Sequence, residues 1–232
     1  MKRTLLGLLA ACWVSSASAQ TICAGRVDVS DIPLIERPAT GEGDRFAVMV
    51  TGDGGWRRID ETIAGRIRRD GVPVAGFLSD YFRTRRTPEE SACALERVIR
   101  HYSMQWRKSS VILIGYSRGA DVLPFMASRL PADLRSKISL IALLGLEPLI
   151  DFEHHPPWNL LALFRHPPQF PVLPEVEKLR GQNVLCVFGE KETDSLCPRL
   201  DPGAFTILRE PEGHHFGGRY EEIGTAILRQ AK

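Results

Sequence analysis

The most constraining feature of this chain is five residues long. Gly115-Tyr116-Ser117-Arg118-Gly119 follows directly on the apolar run Val111 to Ile114 and leads into an amphipathic segment from Ala120 to Ser128. A G-x-S-x-G alone occurs often by chance. Between a strand and a helix it specifies a turn so tight that only very small residues fit beside the serine, which Gly115, Gly119 and Ala120 satisfy. Ser117 is then held at the start of a helix with its hydroxyl exposed. A glycine-rich phosphate turn would need G-x-G-x-x-G spacing or a Walker lysine, and this segment has neither.

Such a turn needs a parallel sheet beneath it, and the rest of the chain supplies the pattern. Short β-branched runs occur at Phe46 to Val50, Val72 to Leu78, Val111 to Ile114, Ile138 to Leu144, Val184 to Phe188 and Phe205 to Leu208. Helical patterns lie between them at Asp60 to Arg69, Pro88 to Tyr102, Ala120 to Ser128 and Tyr220 to Gln230. This alternation predicts an α/β fold, a mostly parallel sheet with helices on both faces. Thr87-Pro88-Glu89-Glu90 combines an N-cap, a first-position proline and a capping-box glutamate. Residues 151–174, DFEHHPPWNLLALFRHPPQFPVLP, break the rhythm and read as a small lid-like insert in a single domain spanning 20–232.

A serine nucleophile needs a base and an acid to orient it, in the chain order Ser, acid, His on this scaffold. After the run Val184 to Phe188 comes GEKETDSLCP. Asp194, four residues before Pro198, is the expected acid, with Glu192, three after Gly189, in reserve. In Glu212-Gly213-His214-His215-Phe216, His214 follows the glycine and is the expected base, with His215 as its rival. Oxyanion donors are expected from the backbone N–H groups of Arg118 and of Asp53 in the loop Thr51-Gly52-Asp53-Gly54-Gly55-Trp56. A carboxylate beside a developing oxyanion is unfavourable unless a cation offsets it, and Arg118 or a cationic substrate group is the expected offset. Gly54, Trp56, Tyr116, Trp158 and His215 are expected to meet substrate. Asp53, Asp80, Glu147 and Asp151 are candidates to face a cationic group. His154, His155 and His166 lack a clear ligand set, so no metal and no cofactor is expected.

The chain of 232 residues carries 30 basic and 28 acidic residues, and Lys2 with Arg3 account for the excess. Both lie in MKRTLLGLLAACWVSSASAQ, a basic start, a short apolar run and an Ala17-Ser18-Ala19 cleavage signal, which reads as a secretory signal peptide over 1–19. A periplasmic location is expected; a lipoprotein anchored at Cys12, after Leu9-Ala10-Ala11, is the alternative. The remainder is neutral, and a chain that is 44% hydrophobic and 25% charged overall argues against a disordered polyelectrolyte, as the neutral balance does against a nucleic-acid partner. Cys23, Cys93, Cys186 and Cys197 form an even set in an exported chain, so disulfides are expected. The expected pairing is Cys186 with Cys197 across one short loop, leaving Cys23 for Cys93. Arg83, Arg85 and Arg86 are the expected contact with an anionic membrane.

Taken together, TGDGGWRRID, GVPVAGFLSDYF, RTRRTPEESACALERVIRHY, LIGYSRGADVLPFMASRLP, IALLGLEPLIDFE, CVFGEKETDSLCP and EGHHFGGRY resemble the VirJ/AcvB family of exported bacterial α/β-hydrolases, in its short, single-domain VirJ-like form. The resemblance runs from Phe46 to Ile227 and implies an α/β-hydrolase fold, with Ser117, Asp194 and His214 as triad and the Gly52 to Trp56 loop on the oxyanion side. It also implies a serine esterase that cleaves the aminoacyl ester of aminoacylated phosphatidylglycerol, chiefly the lysyl form, at the membrane surface, with an association with virulence and type IV secretion components. A general carboxylesterase or lipase, and a noncatalytic secretion-associated binding protein, are the alternatives. Two departures stand out: Arg118 replaces what is more often an uncharged aromatic residue, and Gly217-Gly218-Arg219 replaces a loop that more often carries an acid.

Overall fold

The structure is a computed structural model that describes residues 23, 27–153 and 169–232. The leader with Cys12 and most of the insert, including His154, His155, Trp158 and His166, lie outside the described residues.

In chain order the elements are β1 (Leu34–Arg37), β2 (Arg45–Val50), α1 (Arg58–Arg69), β3 (Val74–Phe77), α2 (Pro88–Gln105), β4 (Ser110–Tyr116), α3 (Arg118–Ser128), α4 (Ala132–Arg135), β5 (Ile138–Leu144), β6 (Leu149–Ile150), β7 (Phe170–Pro171), α5 (Leu173–Glu177), β8 (Val184–Gly189), β9 (Thr206–Glu210) and α6 (Tyr220–Gln230). Seven strands form one sheet in the order β1-β3-β2-β4-β5-β8-β9. Every pairing in it is parallel except β1 with β3.

Alternation along the strands builds two cores. Phe46, Val48 and Val50 of β2 and Val111 and Leu113 of β4 face one side, where they pack with Leu95 and Val98 of α2 and Leu123 and Met126 of α3. Ala47 and Met49 of β2 and Ile112 and Ile114 of β4 face the other, against Ile63 and Ile67 of α1 and Ile223 and Ile227 of α6. Both faces are covered, which is why these strands read as continuous apolar runs. At the start of α2, the Glu90 N–H donates to Thr87 Oγ1 at 3.1 Å and the Thr87 N–H to Glu90 Oε2 at 2.8 Å, the expected reciprocal cap. The cysteines pair as Cys186–Cys197 and Cys23–Cys93. The first ties β8 to the loop behind it, and the second fixes the N-terminal segment to α2.

The insert leaves and rejoins the fold through a small antiparallel ladder, with Leu149 opposite Pro171 and Ile150 opposite Phe170. Phe152, Phe170 and Phe125 pack edge to face at its base, with ring centroids 5.3 to 6.1 Å apart. The base of the insert is therefore anchored on α3, the helix that follows Ser117.

The helix start sits extremely close to the sheet. A Cβ on Gly119 would lie 2.0 Å from the Val50 carbonyl oxygen, and one on Gly115 would lie 2.3 Å from the Gly119 oxygen. Both neighbours are backbone and have no way to swing aside. Replacing Gly119 by Ala should lower stability by about 3 kcal/mol, as overpacking of a rigid site does. Gly65→Ala, in the middle of α1 with nothing near its missing Cβ, should instead raise it by about 0.5–1 kcal/mol. Urea denaturation of the two variants checks the contrast.

Candidate active site

Ser117 has φ 54° and ψ −126°, a backbone conformation that a residue with a side chain rarely adopts and that stores about 1–3 kcal/mol. Three backbone hydrogen bonds hold it there. Its N–H donates to Leu144 O at 2.9 Å, and its carbonyl accepts from Ala120 N at 2.7 Å and Asp121 N at 3.1 Å. The neighbouring Arg118 is the first residue of α3, so its N–H has no acceptor within the helix.

His214 Nδ1 lies 2.6 Å from Glu192 Oε1. The hydrogen bond to Glu192 raises the imidazole pKa above its ordinary value; burial acts in the opposite sense, and the charges of Glu192, Glu147 and Asp194 add to the rise. Room for the ring exists because Gly145, at φ +70° just past β5, has no Cβ; one there would stand 2.7 Å from His214 Cε1. The expectation that Asp194 orients the histidine is corrected. The chain turns sharply after β8, with Glu192 N–H donating to Gly189 O at 2.9 Å and Glu192 Oε2 accepting from Gly189 N at 2.5 Å. That turn directs the third residue after Gly189 back over the strand end. Asp194, two residues further, is exposed and accepts only a local bond from Thr193 Oγ1 at 3.0 Å among the described residues. The glycine-based count was the informative signal, and the spacing to Pro198 was not.

Ser117 and His214 open on one cleft of about 510 Å³, whose wall also includes Asp53, Gly54, Arg57, Arg58, Tyr116 and His215. Tyr116 and His215 sit on the floor together, the phenol oxygen 2.9 Å from His215 Nδ1 and 3.3 Å from His214 O. Burial drives the Tyr116 pKa upward, so it remains a protonated donor. The glycine loop is fixed from beneath: Ser79 Oγ donates to Gly52 O at 2.7 Å, and Ser79 N–H to Thr51 Oγ1 at 3.0 Å.

Trp56 is a second correction. Its ring is not in the cleft but lies over Gly76 of β3, its indole N–H donates to Glu61 Oε2 at 2.6 Å, and Arg37 stacks 5.2 Å above it. Gly76 leaves a gap in the sheet face that the indole fills, so this side chain anchors the loop. Trp158 lies outside the described residues.

Arg118 supplies the cation that Asp53 needs. Its guanidinium forms an ion pair with the Asp53 carboxylate and donates to Asp151 O at 2.8 Å and Oδ1 at 3.1 Å. It thereby ties the glycine loop to the residue where the insert begins. Asp121, one turn into α3, is buried, and burial holds its carboxyl well above the usual carboxylate range; it accepts the Glu147 N–H at 2.7 Å. Arg83, Arg85 and Arg86, the expected contact with an anionic membrane, are each engaged locally. Arg83 pairs with Asp80 at 2.6 Å, Arg85 with Glu153 at 2.8 Å, and Arg86 stacks on Tyr81 at 4.4 Å. Arg219, in the unusual glycine loop, pairs with Glu210 at 3.2 Å. Among the described residues no group of His, Cys, Asp and Glu is arranged to hold a metal ion, and no helix is long and apolar enough to cross a membrane.

Comparison with known proteins agrees with this architecture. Residues 44–232 match the family described as bacterial virulence protein VirJ. Est1E from Butyrivibrio proteoclasticus superposes with a TM-score of 0.60 at 14% identity, over 88% of this chain and 96% of that one. The Pyrococcus furiosus esterase Pf2001 gives 0.58 at 13%, over 87% and 93%. XC6422 from Xanthomonas campestris, described as an α/β serine hydrolase without lid, gives 0.54 at 14%, over 85% and 86%. At these identities the likeness establishes the α/β-hydrolase fold. No curated protein matches the sequence.

The pairing of His214 with Glu192 has a pH signature. A base must be neutral to accept a proton, so the acid limb of kcat/KM should lie above the ordinary histidine value. Glu192→Gln removes the charge and the bond that favour the imidazolium, so the limb should move to lower pH while the plateau falls by roughly 10³–10⁴. Asp194→Asn should change the plateau less than about threefold. Rates of nitrophenyl ester cleavage from pH 5 to 9 measure all three.

Proposed function

This chain belongs to the VirJ family of bacterial virulence proteins, and we propose that it is an exported serine ester hydrolase acting on aminoacylated phosphatidylglycerol, the lysyl form first. The observation that carries the reading is the 2.6 Å His214–Glu192 pair in the same cleft as a serine held at φ 54°. Strain, base and orienting acid together have a use in nucleophilic catalysis and none in packing.

Ser117 Oγ attacks the carbonyl of the ester between the amino acid and the lipid glycerol, and its proton passes to His214. Glu192 stabilises the imidazolium that results. The backbone N–H groups of Asp53 and Arg118 receive the oxyanion, and the ion pair of the Asp53 carboxylate with Arg118 keeps that carboxylate from opposing the new charge. His214 then protonates the departing glycerol oxygen, leaving an aminoacyl-enzyme. Water, deprotonated by His214, hydrolyses it and returns Ser117.

The amino group of the acyl half has an acid at hand in Glu147, which is exposed on the loop after β5 and close enough to His214 to act on it electrostatically. Two disulfides suit the oxidising compartment in which such a lipid would be met.

Purified protein incubated with lysyl-phosphatidylglycerol vesicles should release free lysine, and Ser117→Ala should reduce the rate at least about 10³-fold. Release that persists in Ser117→Ala refutes the assignment. A nitrophenyl ester cleaved in a Ser117-dependent way, with the lipid untouched, would point to a carboxylesterase with another acyl group. Absence of fluorophosphonate labelling at Ser117 would favour a noncatalytic binding role.

A further inference from the structure

The cleft beside Ser117 contains two positive charges that the triad does not use. Arg57 and Arg58 follow the glycine loop directly, are exposed, and line the same cavity as Ser117 and His214. Among the described residues neither guanidinium forms an ion pair, whereas Arg83, Arg85, Arg118 and Arg219 all do. Asp60, the acid nearest in sequence, is buried and accepts the Arg57 backbone N–H at 2.8 Å, and the Arg57 charge acts on it without forming an ion pair. Asp53, the acidic residue on the cleft wall, is engaged by Arg118. Adjacent like charges repel, and the opening turn of α1 adds a positive dipole end to the same place. A cleft walled in this way attracts an anion and disfavours a cation.

The chemistry of the ester decides which half of the substrate sits there. His214 must protonate the leaving oxygen, so the alcohol half lies within reach of His214, and the cleft that Ser117 and His214 share with Arg57 and Arg58 is open to it. We propose that Arg57 and Arg58 form the specificity subsite for a phosphate group carried on the alcohol half of the ester. The inference rests on the reading of Ser117 as nucleophile given above. Guanidinium groups suit this task because their fork of donors matches phosphate oxygens. The acyl carbon–oxygen bond breaks, the departing oxygen takes the proton that His214 received from Ser117, and the phosphate leaves chemically unchanged. Phosphate on a free glycerol and phosphate in a lipid headgroup present the same oxygens to the subsite.

Two soluble esters with one acyl group separate the effect of the phosphate: butyryl-glycerol and butyryl-glycerol 3-phosphate. Wild type should favour the phosphate ester in kcat/KM by about tenfold or more, the scale of a charge-assisted hydrogen bond. Arg57→Gln combined with Arg58→Gln should bring the ratio of the two close to one, and the double Lys variant should restore part of it. An unchanged ratio, or no preference in the wild type, overturns the proposal. Lysyl-phosphatidylglycerol vesicles form the membrane arm: a larger loss there than on the soluble phosphate ester assigns the subsite to the lipid headgroup, and equal losses assign it to phosphate from either source. A binding measurement removes the chemistry altogether. Ser117→Ala should bind glycerol 3-phosphate saturably by calorimetry and lose it when both arginines become Gln; no binding in Ser117→Ala sinks the subsite. Failure of the nucleophile reading looks different, since fluorophosphonate labelling is then absent while phosphate binding persists.

Discussion

The contact on which the site depends is between two backbones. Gly119 meets the carbonyl of Val50 so closely that no side chain fits between them, and this brings the first turn of α3 down onto the end of β2. Three strand ends are then joined at one place. The end of β2 continues into the glycine loop, the end of β4 carries Ser117, and the end of β5 supplies the Leu144 carbonyl that receives the Ser117 N–H. Because the contact has no flexible atoms, the strain at Ser117 has no route to relax short of opening the sheet. A site held by side chains alone would give way first.

Much of this was legible in the sequence because the signals were local. The paired cores require runs of apolar residues that any fold of this kind must display, and β5 and α6 begin and end where the pattern says. The turn at Gly115 to Gly119 is a five-residue signal whose sterics admit few alternatives. β1 was not legible: Leu34-Ile35-Glu36-Arg37 is short and half charged, and it becomes a strand only by pairing antiparallel with β3. The same holds for β6 and β7, two residues each, which exist because the ends of the insert must close.

The site divides along the same line. Ser117 and His214 sit in motifs whose neighbours declare them, but the choice between Glu192 and Asp194 turned on how tightly the chain bends after Gly189, and the backbone bonds of that bend are not written in residue types. Trp56 is similar, since an aromatic residue beside a glycine loop suits a substrate wall equally well. What settled its direction was a glycine on a neighbouring strand, Gly76, distant in sequence.

Charge is where the three-dimensional arrangement added most. The formal balance of the chain is nearly even, and many of its arginines are engaged by carboxylates within and between elements. Arg118 is the clearest instance: its side chain is 10% exposed and it reaches acids on two different loops. An aromatic residue in its place would remove the guanidinium that faces the Asp53 carboxylate beside the oxyanion donors, so the arginine here and the aspartate at 53 act as a pair. Because Asp151 opens the insert, the same guanidinium also couples the position of the glycine loop to the first residue of that insert.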